Sequence, residues 1–166
     1  MGDFGKELEE QVPRLRRYAL TLARDAARAD DLVQDSLLRA IRKRHLFQPG
    51  TNLPAWLFTI MHHQYVNNVR SRVREGISIP VEDVESVLTV PATQGAGLQL
   101  RDLDRAMARL PEEQRQTLLL NGLEGFSYED VAMILDIPVG TVRSRLSRGR
   151  EGLRQMLDRE QPRAAA

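Results

Sequence analysis

GFSYEDVAMILDIPVGTVRSRLSRGREGLRQML, residues 125–157, reads as two helices joined by a tight turn. Ser127 is a good N-cap, because its hydroxyl can accept from the backbone N–H of Glu129 or Asp130, and those two acids suit the positive end of a helix dipole. That helix buries Val131, Ala132, Ile134 and Leu135. Asp136, Ile137 and Pro138 break the pattern, since proline disfavours helix in the residue before it and cannot donate within a helix interior, although it fits a first turn. A second helix is expected to start near Val139 or Gly140. Along it Val142, Leu146, Leu153 and Leu157 recur on one face, while Arg143, Ser144, Ser147, Arg148 and Arg150 fall largely elsewhere. An apolar stripe opposed by arginines and small hydroxyls suits a helix that enters the major groove of DNA. Taken alone, the charge run is a solvated face. The preceding helix and proline turn shift the reading toward nucleic acid.

The 166 residues allow one medium domain or two small ones. Cysteine is absent, which excludes disulfides, thiolate catalysis and cysteine-ligated zinc. The N-terminal MGDFGKELEEQ is acidic and lacks the apolar core of a signal peptide, so the expected location is cytoplasmic. The longest apolar run, Leu53 to Met61, is roughly half of the ~18 residues that suggest a membrane span, so no membrane insertion is expected. A net charge of +1 does not by itself announce a nucleic-acid binder. Its distribution says more: arginines gather in 70–74 and 143–154, and no Lys or Arg occurs between Arg74 and Arg101.

Outward from the opening stretch, the helical period accounts for most of the chain. Residues 7–24 place Leu8, Val12, Leu15, Ala19 and Leu22 inward, with Pro13 either starting the helix or kinking it. From Ala29 to His45 a stripe of Leu32, Val33, Ser36, Leu37, Ala40 and Ile41 is expected to be buried, with Asp30 and Asp31 at the helix start and Arg42, Lys43 and Arg44 at its end. Residues 47–52 form a loop around Pro49-Gly50. Pro54 then sits in the first turn of a third helix, Ala55 to about Arg74, whose second half mixes amides, histidines and arginines with Tyr65 and three valines. Such a surface suits unstacked bases, although for Trp56 a core role is favoured over base contact. His62 and His63 are adjacent and point about 100° apart, poorly placed to share a metal; a surface or base-contacting role is expected for them instead. No metal or cofactor is expected.

Residues 75–97 read as an acidic linker. Beyond it, Leu100, Leu103, Ala106, Met107 and Leu110 form one stripe, and Pro111 opens a helix in which Gln114, Leu118 and Asn121 share a face while Leu119, Leu120 and Leu123 add core bulk. No stretch alternates with period two. The expected fold class is all-α: two small helical bundles joined by a flexible linker, the second containing the helix-turn-helix. Paired carboxylates such as Asp30-Asp31 are adequately explained as helix starts, so no enzymatic role is expected.

Five motifs, in order, carry a resemblance: Ala29 to Asp35 (ADDLVQD), Phe47 to Gly50 (FQPG) with Ala55 to Phe58 (AWLF), Leu110 to Arg115 (LPEEQR), Phe126 to Ala132 (FSYEDVA) and Pro138 to Leu146 (PVGTVRSRL). The chain resembles the bacterial extracytoplasmic-function sigma factors of the sigma-70 family over nearly its whole length. The resemblance implies that 1–74 binds core RNA polymerase and opens the minus-ten promoter element, and that 98–166 reads the minus-thirty-five element. It implies polymerase contacts from Asp31, Leu32, Gln34 and Asp35. Base capture would fall to Phe47, Asn52, Trp56, His62, His63, Tyr65, Asn67 and Arg70. Arg143, Ser144, Ser147 and Arg148 would face the major groove, with Thr141 and Arg115 on phosphates. The linker would thread near the active-site cleft, where an anionic peptide can occupy a channel built for RNA.

Two departures from the family stand out. Asp136 occupies the turn where relatives often have glycine, and aspartate tolerates the left-handed conformation. His63 stands where many relatives carry an asparagine in the base-reading face, so the resemblance does not fix the minus-ten base preference. The spelling of Pro49 to Ile60 is similar to the general-stress branch of alphaproteobacteria, which implies an anti-sigma factor and a receiver-domain mimic as regulators. Two rival readings are a sigma mimic that titrates an anti-sigma factor, disfavoured by the absence of room for a receiver domain, and an operator-binding repressor, which leaves the first bundle unexplained.

Overall fold

The computed structural model describes residues 2–77 and 94–160, and every regular element among them is helical. Seven α-helices follow in order: α1 (Gly2–Ala23), α2 (Ala26–Arg42), α3 (Leu53–Arg74), α4 (Gln94–Arg109), α5 (Glu112–Leu118), α6 (Tyr128–Leu135) and α7 (Val139–Glu160). A 3₁₀ turn, Arg44–Leu46, follows α2, and a π-helical turn, Leu119–Leu123, extends α5. The chain divides into two compact units, the first built on α1–α3 and the second around α4, α5 and α7.

In the first unit all three helices pack on one another. Four fully buried alanines, Ala19, Ala29, Ala40 and Ala55, keep the helices close, and the Tyr18 and Phe58 rings meet at 5.4 Å between centroids in the core. Helix α1 continues past Pro13, which lies on its exposed face and neither starts nor ends it. It therefore begins near Gly2 rather than at residue 7. Arg24 then turns the chain through a left-handed φ of 51°.

Helix α2 starts earlier than its acids suggest. Asp25 is extended and accepts from the Arg28 N–H at 2.8 Å, so the cap lies four residues before Ala29. Asp30 and Asp31 consequently sit beyond the first turn. Asp30 instead pairs with Arg16 of α1 at 2.8 Å, a bond that raises the Arg16 pKa above its ordinary value. The buried stripe is also narrower than expected: Leu32, Val33, Ser36 and Ala40 are buried, Leu37 is half-buried and Ile41 is 45% exposed. At about 100° per residue the four buried positions centre roughly 125° away from Ile41, which places it on the solvent side. The buried Ser36 hydroxyl is satisfied by the Leu32 carbonyl at 2.6 Å. Helix α2 ends at Arg42 rather than His45.

The linker reading is trimmed at both ends. Glu75 caps α3, Gly76 follows at a φ of 72°, and Gln94–Gly97 already belong to α4, where Gly95 and Gly97 do not break the helix. The rest of it, 78–93, lies outside the described residues.

In the second unit Glu112 and Glu113 occupy the first turn of α5, as their position after Pro111 predicts. The helix does not continue regularly. The Glu124 N–H bonds the Leu119 carbonyl five residues back, and the Phe126 N–H reaches the Leu120 carbonyl. In this wider turn four residues fall short of a full revolution. Leu119 and Leu120 stay buried while Leu123 swings out to 42% exposure.

Helix α7 packs on both α4 and α5. Gly149 makes the second contact possible: a Cβ there would lie 2.7 Å from Leu118 Cδ1 and 3.2 Å from its Cγ. Gly149→Val should therefore destabilise the second unit by about 1–3 kcal/mol through overpacking, read as an earlier urea midpoint in circular dichroism. An unchanged midpoint would mean that α5 and α7 can separate without cost.

Candidate nucleic-acid interface

The helix-turn-helix forms as its residues dictate. The Ser127 hydroxyl accepts from the Asp130 N–H at 3.1 Å, and Asp136 takes the left-handed conformation at a φ of 54°. The Pro138 carbonyl then accepts from the Thr141 and Val142 N–H groups and starts α7. Val142, Leu146 and Gly149 are buried along one side. Arg143, Ser147 and Arg148 are exposed on the opposite one.

Hydrogen bonds and ion pairs sort the arginines of α7. Arg145, whose side chain is only 20% exposed, reaches Glu113 of α5 at 3.4 Å. Arg150 donates to Asn121 Oδ1 at 3.4 Å, and the Asn121 amide itself donates to the Phe126 carbonyl at 2.8 Å. Arg154 forks onto Glu151 at 2.7 and 3.0 Å. Arg154 and then Gln155 hold the Glu151 carboxyl below its ordinary pKa. Arg143 and Arg148 have no acidic partner among the described residues, so their guanidinium groups are left to meet an anion. The Ser144 hydroxyl donates to the Thr141 carbonyl at 3.0 Å, which leaves its lone pairs but not its proton for a ligand. One expected contact is removed: Arg115 is 7% exposed, inside the second unit, and does not present a guanidinium to a phosphate. The pattern Leu110 to Arg115 carries no sign of that burial.

In the first unit, the Asn52 side chain accepts from the Ala55 N–H at 3.1 Å and caps α3. Phe47 stacks on Trp56 with centroids 5.1 Å apart. Both rings are half-buried, so Trp56 is shared between packing and surface rather than enclosed in the core. Trp56, His63, Asn67 and Arg70 fall within about 60° of one another around α3, and the last three are exposed. His62 does not join them: it is buried at 8% exposure, about 100° around the helix from His63. Its expected surface role is thereby corrected.

Tyr65 also leaves that face. It lies in a groove between α2 and α3 lined by Asp31, Leu32, Asp35, Asn68 and Arg72. The groove joins Tyr65 to residues that sequence reasoning assigned to a different partner. Within the expected polymerase-contact set, Asp31, Gln34 and Asp35 are exposed while Leu32 is buried at 3% exposure. Leu32 supports that surface from beneath.

Sequence reasoning missed Phe4, Glu113 and Asn121. Phe4 packs on Phe47 with centroids 6.1 Å apart, and nothing in Met1 to Lys6, where two glycines flank it, signalled that contact. Glu113 and Asn121 choose which arginines are tied down. Neither choice is encoded locally.

The chain matches two family models, "Sigma-70, region 4" over residues 100–153 and "Sigma2 domain of PhyR" over residues 8–62. It is 45% identical over 150 residues to the ECF RNA polymerase sigma factor EcfG of Rhodopseudomonas palustris, covering 88% of this chain and 80% of that one. To the ECF RNA polymerase sigma factor SigE of Mycolicibacterium smegmatis it is 33% identical over 164 residues, covering 95% and 62%. Among solved structures it is similar to the sigma factor RpoE from Bartonella quintana, in a co-crystal with the anti-sigma factor NepR. That likeness has a TM-score of 0.81 at 37% identity and covers 95% of this chain and 98% of that one.

Burial separates the chain's three histidines. Diethyl pyrocarbonate should modify exposed His45 and His63 and spare His62, as read by peptide mass spectrometry on the native protein. Equal labelling of all three would contradict the enclosed position of His62.

Proposed function

Because the chain belongs to the extracytoplasmic-function RNA polymerase sigma factors of the sigma-70 family, we propose that its two units divide promoter recognition between duplex reading and strand opening. Sigma factors are non-enzymatic initiation factors, so the chemistry here is binding. Residues 98–166 read the minus-thirty-five element through Arg143, Ser147 and Arg148, with the lone pairs of Ser144 and the first turn of α7 at Thr141 beside them. The observation that carries this assignment is the sorting of the α7 arginines: Arg145, Arg150 and Arg154 are engaged, and Arg143 and Arg148 are available on one exposed face. Arginine's planar fork matches the guanine edge, and one good bidentate contact contributes ~1–3 kcal/mol of discrimination.

Residues 1–74 open the minus-ten element. Unstacking a base costs a few kcal/mol, and an aromatic platform returns ~1–3 kcal/mol per captured base, so binding energy offsets melting without ATP. Phe47 and Trp56 form such a platform, and His63, Asn67 and Arg70 continue its face along α3. Exposed Asp31, Gln34 and Asp35 are the polymerase contacts. The segment between Arg74 and Gln94 tethers the two units. Polymerase and promoter are cytoplasmic, which assigns the protein to that compartment, and no helix among the described residues is long and apolar enough to cross a membrane. Similarity to the RpoE that was crystallised with NepR supports an anti-sigma partner of that kind and a place in the general-stress branch.

Purified protein with core polymerase should initiate at start sites that also appear in cells overproducing it. On such a promoter Arg143→Ala and Arg148→Ala should each weaken specific binding roughly 10-fold or more while leaving initiation from a template already melted at the minus-ten element unchanged. Arg145→Ala should lower thermal stability and retain promoter selectivity. Equal loss of selectivity in all three variants would overturn the assignment of the reading face.

A further inference from the structure

The buried stripe of α1 ends, in the first turn of the helix, on a half-buried aromatic ring. Phe4 lies four residues before Leu8, on the same side of α1 as Leu8, Leu15 and Leu22, and there it is half-buried and meets the segment after α2. Its centroid is 6.1 Å from that of Phe47 at an interplanar angle of 39°, and Phe47 is 5.1 Å from Trp56 at 43°. The Arg44 guanidinium carbon sits 5.2 Å from the Phe4 centroid. These separations lie within the ranges in which tilted ring pairs and cation–π contacts attract.

One side chain of α1 thus touches the 44–47 segment at two points. The backbone bonds of that segment are local: Leu46 N–H to the Lys43 carbonyl, Phe47 N–H to the Arg44 carbonyl and Thr51 N–H to the Gln48 carbonyl. The ring contacts run outward, to α1 through Phe4 and to α3 through Trp56. A loop that receives unstacked bases works best when its receiving groups are held before DNA arrives, because ordering a mobile loop on binding costs affinity.

We propose that Phe4 is a positioning residue for the base-capturing loop, closing a three-ring stack with Phe47 and Trp56 and anchoring Arg44 so that Phe47 is preset for single-stranded DNA. The inference rests on the reading of Phe47 to Asn52 as the minus-ten loop. Phe4 acts through Phe47 and does not itself touch a base. The N-terminal turn of α1 thereby becomes part of the strand-opening apparatus.

The test uses full-length protein bound to core polymerase, with a fluorescent single-stranded oligonucleotide carrying the non-template minus-ten strand of a promoter mapped for this protein. Phe4→Ala should weaken capture of that strand roughly tenfold, the combined effect expected for one ring pair and one exposed cation–π contact. Affinity for core polymerase and the melting temperature should stay close to the parent values. Phe4→Trp, which restores a ring, should recover capture, and Phe4→Leu, which keeps apolar bulk without a π face, should recover it only in part. Phe47→Ala distinguishes the two levels of the proposal. Impaired Phe47→Ala beside a Phe4→Ala that behaves as parent would overturn the role of Phe4 and leave the loop reading standing, whereas parent-like Phe47→Ala would overturn the loop reading itself. A Phe4→Ala variant that loses core polymerase and DNA in equal measure would reduce Phe4 to a structural residue and also overturn the inference.

Discussion

The approach of α7 to α5 at Gly149 is the contact on which the upstream reading face depends. With no Cβ between them, Leu118 lies against the α7 backbone, and that contact sets the rotation of a 22-residue helix about its own axis. Once Gly149 faces inward, Val142 and Leu146 are buried with it, and the exposed side of the helix must carry Arg143, Ser147 and Arg148. A rotation of one residue, about 100°, would bury an arginine and expose a core leucine. Burial of a charge without a partner is costly, so the phase has a single solution. Arg145 shows the boundary of that solution: it is half-turned to the interior and its guanidinium reaches Glu113.

The first unit solves a different problem. A major-groove reader needs a rigid rod with charged forks, whereas a base-capturing surface needs flat groups beside an open face. Helix α3 supplies both needs along its length. Its first half is buried nearly all round, with Leu53, Ala55, Leu57, Phe58, Ile60, Met61 and His62 in the core, and its second half opens to solvent at His63, Asn67 and Arg70. The rings of Phe47 and Trp56 stand where the buried half meets the loop, and Phe4 extends them onto α1. Fixed helices therefore back the flat groups on two sides.

Local chemistry was legible in the amino-acid order wherever the determining partner lies within about one helical turn. The Ser127 cap, the left-handed Asp136, the start of α7 after Pro138 and the place of Pro54 in the first turn of α3 all depend on hydrogen bonds or steric limits inside four residues. The helical period of the buried stripes was legible for the same reason, and so was the all-α class. Errors appeared where two local rules competed. At α2 the adjacent acids Asp30 and Asp31 drew the helix start away from Asp25, although Asp25 is the residue whose extended backbone allows a cap. At Pro13 an unfavourable residue was tolerated because it faces solvent inside a helix held by its other side.

The sequence by itself determined the two-part helical plan, the helix-turn-helix and the family, because these rest on local bonding, on periodicity and on several motifs kept in one order. Only the tertiary structure decided which of the marked residues are free to act. Arg115 and His62 are buried, Tyr65 turns into the groove with Asp31 and Asp35, and Phe4 joins the aromatic stack. The same holds for the arginines of α7, where Arg150 is tied to Asn121, 29 residues away in the chain. The availability of a charged or aromatic side chain is a property of its neighbours in space. No local pattern records which of several identical residues will find a partner when helices distant in sequence pack together.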